Sequence, residues 1–186
     1  MTDTLQASCV DTLTRWPAPT SEQEALRTQF LQFLDEHPDG WSRDCPHVHL
    51  TASSLICTPD GSQVVLVFHD GLGRWLQSGG HIEADDASLA AAALREAREE
   101  TGLQSLRIGN EPIQLDRHIV RHHDANDAET YHLDVRFLIL ADPDEEPVAE
   151  APETPSAWFR VDALPQVDES VRMLVIAAQE YLEFGV

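Results

Sequence analysis

The pattern of apolar and polar positions predicts strands and helices along most of the chain. Residues 48–58 favour a strand, a Pro-Asp-Gly-Ser turn follows, and residues 63–69 (QVVLVFH) predict the partner strand of a hairpin. Further strands are predicted at residues 75–77, 106–108, 113–120, 131–141 and 157–161. Residues 131–141 become continuously apolar towards their end, which is typical of a central strand.

Helical periodicity predicts three helices. Thr20 or Ser21 caps the first, whose apolar stripe consists of Leu26, Phe30, Phe33 and Leu34. The second begins after Asp86 or Ser88 and ends at Gly102. The third begins at Asp168 or Glu169 and buries an apolar face made of Val171, Leu174, Val175, Ala178 and Leu182.

This order of elements predicts an α/β fold, with a mixed sheet and helices packed on its faces. We expect residues 47–186 to form the main domain and residues 1–46 to be an N-terminal extension. Within the extension, residues 1–18 are polar, Pro17 and Pro19 lie at and just beyond their end, and this segment predicts a loose arm. The helix that follows either docks on the main domain or forms a homodimer contact through its apolar stripe. Residues 142–155 are acidic and proline-rich, hence a loop.

Composition narrows the class of protein. The 186 residues carry a formal net charge of -21 and no lysine, which argues against a long nucleic acid as a partner. No apolar run is long enough to span a membrane, and the N-terminus lacks the features of a signal peptide. Three widely spaced cysteines predict free thiols in a reducing compartment. We therefore expect a cytoplasmic protein that acts on small molecules.

Three carboxylates lie on one stripe of the second predicted helix. Glu96, Glu99 and Glu100 fall within about 100° of one another around the helix axis. They repel one another unless a cation lies among them, which predicts a site for Mg²⁺ or Mn²⁺. A solvated acidic face is the simpler alternative. The metal site is favoured because the glycine pair Gly79 and Gly80 ends the preceding strand, so that backbone and carboxylates can converge.

Residues 79–103 resemble the Nudix box, G-x5-E-x7-R-E-U-x-E-E-x-G-U, in which U is aliphatic. Residues 95–103 (REAREETGL) match its second half at every fixed position, with Ala97 as U. The first half departs from the pattern by one extra loop residue and by Asp in place of the first Glu. In the family this loop acid orients the arginine, and here it is one of three residues, Glu83, Asp85 or Asp86.

The resemblance implies an α/β/α sandwich over about residues 47–183 and hydrolysis of a nucleoside diphosphate linked to another group. Such a pyrophosphatase would act on a small phosphorylated metabolite and require Mg²⁺ or Mn²⁺. By the same resemblance, Glu96 and Glu100 are the primary metal ligands, and Glu99 is a further ligand. The carbonyl of Gly79 or Gly80 completes the set, and Arg95 holds the loop acid and Glu96 in place.

The resemblance leaves several candidates for the general base and for the substrate contacts. Some family members recruit a base from a late loop, which here offers four glutamates, Glu145, Glu146, Glu150 and Glu153. Glu153 is preferred, and the other acids of this loop are expected to be solvated. The expected substrate-binding residues are His49, His81, His132 and Arg74, although hydrogen-bonded structural histidines are the simpler interpretation. His122 and His123 are expected on the surface.

Two other functions fit a related fold. One is a diphosphate isomerase like the isopentenyl diphosphate enzyme, and the other is a non-catalytic ligand-binding module. The intact R-E-x-x-E-E-x-G favours hydrolysis over both. The substrate does not follow from the sequence, because the residues that mark hydrolases of ADP-ribose or dinucleoside polyphosphates are replaced by Ile119, Val120 and Arg121.

Overall fold

The computed structural model describes residues 2–121, 129–149, 151 and 153–185, so that His122, His123 and Glu150 lie outside the described residues. The helices are α1 Thr2–Arg15, α2 Ser21–Glu36, α3 Leu89–Thr101 and α4 Glu169–Phe184. The strands are β1 Val48–Cys57, β2 Gln63–His69, β3 Arg74–Leu76, β4 Ser78–His81, β5 Arg107–Ile108, β6 Gln114–Arg121, β7 Glu129–Leu140 and β8 Ser156–Arg160.

Across the described part of the chain, eight strands form one mixed sheet. Strand β1 pairs in parallel with β7 and antiparallel with β2 and β4. Strand β7 also pairs antiparallel with β5 and β6, which confirms the predicted central strand. Strand β2 also pairs antiparallel with β3 and with β8, which lie on its two opposite edges. The antiparallel pairing of β1 with β2 confirms the predicted hairpin.

Helices cover both faces of the sheet, as expected for an α/β/α sandwich. Successive residues of a strand point to opposite faces. From β1, Leu50 and Ala52 pack with buried alanines of α3. Leu55 and Cys57 point the other way and pack with Val171, Leu174, Val175 and Ala178 of α4. The even-numbered residues of β1 therefore define the α3 face, and the odd-numbered residues define the α4 face.

The prediction of a loose arm at the N-terminus is wrong, because residues 2–15 form the helix α1. Leu5, Cys9, Leu13 and Trp16 recur at helical spacing and are buried. They belong to the same hydrophobic cluster as Phe30 of α2 and the α3 face of the sheet. This burial stabilises a helix whose composition is otherwise too polar to predict one.

The predicted amphipathic helix α2 uses its apolar stripe within the chain. Phe30 and Leu34 are completely buried in the cluster that includes α1 and the sheet. Gln23 also joins the backbone of β6, since its amide nitrogen lies 3.0 Å from Leu115 O and its amide oxygen accepts from Leu115 N at 2.7 Å. Of the two predicted roles for this helix, docking on the main domain is the one observed.

The caps observed at the ends of α2, α3 and α4 are residues that the sequence offers for this role. The N-caps are Thr20 for α2, Ser88 for α3 and Asp168 for α4, each accepting a backbone N–H through its side chain. Gly102 ends α3 with φ of 68°, in the left-handed region that glycine adopts readily. The three cysteines are free thiols, as predicted, and the structure places all of them in buried positions. Among the described helices, none combines the length and apolarity needed to cross a membrane.

Replacing Phe30 by Ala should destabilise the protein by about 3–5 kcal/mol, because it removes a fully buried aromatic side chain from the shared cluster. Gln29→Ala changes an exposed neighbour on the same helix and should cost less than about 0.5 kcal/mol. Urea denaturation of both variants measures the difference. Equal, small effects would contradict the docking of α2 into the core.

Candidate active site

The three glutamates of the candidate site project from one side of α3. Beside the glutamates, an adjoining stripe of buried alanines, among them Ala93 and Ala97, fixes the helix to the sheet. Because alanine is small, the helix axis can lie close to the strands beneath it. Glu96 is then largely buried, with 16% of its side chain exposed, whereas Glu99 is 53% exposed.

The glycine pair allows α3 and β4 to approach closely. A Cβ atom at Gly80 would lie 2.7 Å from the Glu96 carboxylate, so a side chain there would displace it. A Cβ atom at Gly79, whose φ is 155°, would lie 2.3 Å from Cβ of Ser53 on the neighbouring strand. The backbone N–H of Gly79 donates to Glu100 Oε2 at 3.0 Å. Glu96 and Glu100 therefore converge on this glycine strand.

Arg95 links the loop before α3 to the carboxylates on it. Its Nε and Nη2 donate to both oxygens of Asp86, at 3.2 and 3.0 Å. Its Nη1 donates to Glu96 Oε1 at 2.8 Å and to Glu99 Oε2 at 3.2 Å. Its Nη2 also donates to the carbonyl of His81 at 2.9 Å. A planar guanidinium suits such a fork of acceptors.

Of the three acids predicted to hold the arginine, Asp86 makes the contact. Glu83 lies 4.0 Å from Nη1, and Asp85 is exposed. Hydrogen bonding to Asp86 is the main reason why the pKa of Arg95 is raised. The longer loop with Asp in place of Glu thus still delivers a carboxylate to the arginine.

The donor set suits a hard divalent cation. Burial raises the pKa of Glu96, although the hydrogen bond and charge of Arg95 oppose this shift. A buried carboxylate beside two others gains from a cation among them, and carboxylates with backbone carbonyls are the ligands that Mg²⁺ and Mn²⁺ prefer. Glu96, Glu99, Glu100 and the glycine carbonyls could hold such an ion.

The late acidic loop passes the C-terminal end of α3. Val148 N donates to Thr101 O at 2.7 Å, next to Glu100 in the helix. Glu145 accepts from the backbone N–H groups of Gln104 and Ser105 at 2.7 and 3.0 Å, which lowers its pKa. Glu145 therefore has a structural role.

Glu153, in contrast, is an exposed residue of the same loop. It lies between the contact of Val148 with α3 and a second backbone contact, in which Phe68 N donates to Pro155 O at 2.8 Å.

The structure brings the predicted histidines together on the α4 face of the sheet. His49 of β1 is paired with His132 of β7, and His81 of β4 is paired with Thr51, two residues from His49. Ring centroids are 4.8 Å apart for His49 and His132 and 5.3 Å apart for His81 and His132. Burial and the neighbouring histidines lower the pKa of His132 to about 3, so this ring is neutral near pH 7.

A charged network continues from these histidines along the same face, and sequence reasoning missed it. Asp134 accepts from Thr51 Oγ1 at 3.0 Å and from Ser53 Oγ at 2.7 Å. Arg136 donates to Asp134 Oδ2 and to Asp116 Oδ2, both at 2.8 Å. Asp134 and Arg136 are each 2% exposed. Their signal was present in residues 131–140 (YHLDVRFLIL), where polar residues alternate with apolar ones.

Asp116 connects this network to a fourth histidine. Burial of Asp116 raises its pKa, but the hydrogen bond from His118 and the charge of Arg136 outweigh burial and leave the pKa lowered. His118 Nδ1 lies 2.9 Å from Asp116 Oδ2, and its ring centroid is 5.4 Å from that of His132. Arg74, the remaining predicted substrate residue, ion-pairs with Asp168 at 3.5 Å.

A NUDIX domain family model matches residues 47–177 of the chain. A search of curated proteins finds no match. Similar solved structures include the MutT NUDIX hydrolase from Burkholderia pseudomallei, with 23% identity and a TM-score of 0.48 over 69% of this chain and 95% of that one.

Another is a NUDIX family hydrolase from Clostridium perfringens, with 20% identity and a TM-score of 0.49 over 74% of this chain and 98% of that one. A third is the NUDIX domain of Shewanella oneidensis NrtR complexed with ADP ribose, with 21% identity and a TM-score of 0.49 over 72% and 87%.

Arg136→Ala should cost about 3–5 kcal/mol of folding free energy, because it leaves the buried Asp134 carboxylate without its cation. Arg160→Ala is the matched control, since Arg160 also lies on a strand and ion-pairs with Asp162 but is exposed. It should leave the stability nearly unchanged. Urea denaturation compares the two. A cost for Arg136→Ala no larger than the control would show that Asp134 is compensated otherwise.

Proposed function

The chain belongs to the NUDIX family of pyrophosphohydrolases, and from this premise we propose that it hydrolyses a phosphoanhydride bond in a small nucleoside diphosphate derivative with the help of Mg²⁺ or Mn²⁺. The observation that carries the proposal is the convergence of Glu96 and Glu100 on the glycine strand. The exposed Glu99 adjoins them on the open side of the helix.

Each residue of the site has a distinct task in this proposal. Glu96 and Glu100 hold the ion most directly, Glu99 adds a ligand, and the carbonyl of Gly79 or Gly80 completes the set. The ion supplies charge neutralisation on the diphosphate and a more acidic water. Phosphoryl transfer needs mainly positioning and charge stabilisation, which this carboxylate set can provide. Arg95 positions Glu96 through its bond to the carboxylate.

We assign the general base to Glu153. Its loop is anchored beside the C-terminal end of α3 by the bond from Val148 N to Thr101 O. The carboxylate of Glu153 is exposed, whereas that of Glu145 is bound to the backbone N–H groups of Gln104 and Ser105. A base must come within hydrogen-bond reach of the attacking water, directly or through one further water. The water would give a proton to Glu153 as it attacks phosphorus. The phosphoanhydride P–O bond then breaks, and the other phosphate leaves with the group linked to it.

The proposed substrate is a small, soluble phosphorylated metabolite. A net charge of -21 opposes approach of a long polyanion, whereas a small diphosphate can arrive with its metal ion. His49, His81, His132 and Arg74 remain our candidates for substrate contact. The catalytic domain would be residues 47–186, with residues 1–46 as an extension that supports the sheet through α1 and α2.

Glu100→Gln should lower kcat/KM by about 100-fold or more, because even the loss of a group behind a metal ligand costs about 10–100-fold. The activity to measure is phosphate release, with coupled phosphatase, from a panel of nucleoside diphosphate derivatives in Mg²⁺ or Mn²⁺. Chelation with EDTA should abolish the activity, and either ion should restore it. Glu180→Gln, an exposed change on α4, is the control and should leave activity unchanged.

Two outcomes would replace this proposal. No hydrolysis of any compound on the panel, together with tight binding of one of them, would favour a non-catalytic ligand-binding module. Rearrangement of isopentenyl diphosphate without phosphate release would favour an isomerase. Turnover unaffected by Glu100→Gln would exclude the carboxylate site.

Glu153→Gln should lower kcat by about 10²–10⁴-fold with little change in KM, because it removes a proton acceptor and keeps the size of the side chain. Glu146→Gln alters another exposed acid of the same loop and should leave kcat unchanged. Steady-state kinetics of both variants on the best substrate of the panel provide the test. Equal kcat values for the two variants would contradict this assignment and would favour a glutamate of α3 as the general base.

A further inference from the structure

Three histidines meet on the α4 face of the sheet, and we call His49, His81 and His132 the histidine cluster. One ring nitrogen of each can be chosen so that all three lie within 4.8 Å of one another. The rings come from three different strands, β1, β4 and β7, and their side chains share a face because of the strand register. Such convergence of three imidazoles needs a physical explanation.

The cluster is separate from the carboxylate site. Gly80 and His81 are successive residues of β4 and therefore face opposite sides of the sheet. A Cβ atom at Gly80 would meet Glu96 of α3, whereas the ring of His81 lies 5.0 Å from that of His49, on the α4 face. The carboxylate site offers hard oxygen ligands, while the cluster offers imidazole nitrogens.

The surroundings of the cluster orient its rings. His49 Nδ1 lies 3.4 Å from the carbonyl oxygen of Cys45. Metal-bound histidines commonly make such bonds through the ring nitrogen that does not bind the metal. The backbone carbonyl of His81 accepts from Arg95, which fixes the strand that carries this ring.

One nitrogen inside the cluster lacks a partner. His132 Nε2 is buried and, among the residues that the structure describes, makes no hydrogen bond. Its ring is surrounded by those of His49, His81 and His118 at centroid distances of 4.8–5.4 Å. A buried polar atom without a partner is costly and indicates a missing water or ion.

We propose that the histidine cluster binds one divalent transition-metal ion of the kind that prefers imidazole, with Zn²⁺ as the ion to test first. Zinc favours tetrahedral sites with Zn–N distances of 2.0–2.1 Å, which place ligand nitrogens about 3.3 Å apart. One nitrogen of each ring already lies within 4.8 Å of the other two, so rotation of the side chains and small shifts would close the three nitrogens on the ion. Imidazole ligands select zinc, nickel or copper over Mg²⁺.

A bound ion changes what this face presents to a ligand. An ion held by the three imidazoles offers a compact positive charge there. It also ties β4 to β1 and β7, which steadies the strand that carries Gly79 and Gly80. The inference does not rest on the proposed function, because the metal alone is the ligand and binding is the measurement.

The test is a titration of the full-length protein with ZnCl₂ in excess Mg²⁺, followed by calorimetry. We expect one equivalent of Zn²⁺ to bind the wild type. His81→Gln and His132→Gln should each weaken binding at least tenfold, and circular dichroism should verify their fold. His69→Gln changes a histidine on β2 outside the cluster and should bind as the wild type does. The two cluster variants together keep the test valid if one of them fails to fold.

A second arm separates this site from the carboxylates. Zinc binding should persist in Glu96→Gln and Glu100→Gln, whatever happens to their hydrolytic activity. Co²⁺ added to the wild type should give the intense visible absorption of a tetrahedral site, and His81→Gln should remove it. Failure to bind an equivalent of Zn²⁺, or binding lost in the carboxylate variants but kept in the histidine variants, would overturn the inference.

Discussion

The close approach of α3 to β4 is the constraint on which the candidate active site depends. A Cβ atom at Gly80 would lie 2.7 Å from the Glu96 carboxylate, so the strand can pass under the helix only where no side chain intervenes. Small buried residues such as Ala93 and Ala97 bring the helix down onto the sheet. Arg95 then holds the loop and the carboxylates in one arrangement, because it donates to Asp86 and Glu96 together.

The two faces of the sheet solve different problems. The α3 face is apolar and supports the helix through hydrophobic burial. Part of the α4 face is polar although it is buried, since Asp134 and Arg136 lie there with 2% of their surface exposed. An apolar pair of similar volume is often as stable as such an ion pair or more so. Fold stability alone therefore does not explain why the buried residues next to the histidines, Asp134 and Arg136, are charged.

Local sequence signals were sufficient for much of the fold and for the carboxylate helix. The stripe of glutamates, the glycine pair and the caps at Thr20, Ser88 and Asp168 depend on neighbours a few residues away, and the structure contains the elements that they predicted. The helix α1 was missed because Leu5, Cys9 and Leu13 form a sparse stripe in a polar segment. Only the packing of these residues against α2 and the sheet shows that they belong to the core.

Long-range contacts were beyond reach of the same reasoning. In the sequence, His49 and His132 lie 83 residues apart, each near the start of a predicted strand. Only the parallel pairing of β1 with β7 places them side by side. The choice of Asp86 over Glu83 likewise depends on how an enlarged loop folds back onto Arg95. Neither contact has a signature in residue spacing, because each joins segments whose relative position is set by the whole sheet.

His81 connects the two sites that the structure suggests. Its carbonyl accepts from Arg95 at 2.9 Å, while its ring belongs to the histidine cluster on the other face. An ion that fixes the ring also fixes the carbonyl, and hence one acceptor of the arginine that positions Glu96. Any such coupling between two binding events must be reciprocal. A metal bound by the carboxylates would therefore affect the affinity of the histidines for their ion as much as the reverse, through the four residues of β4.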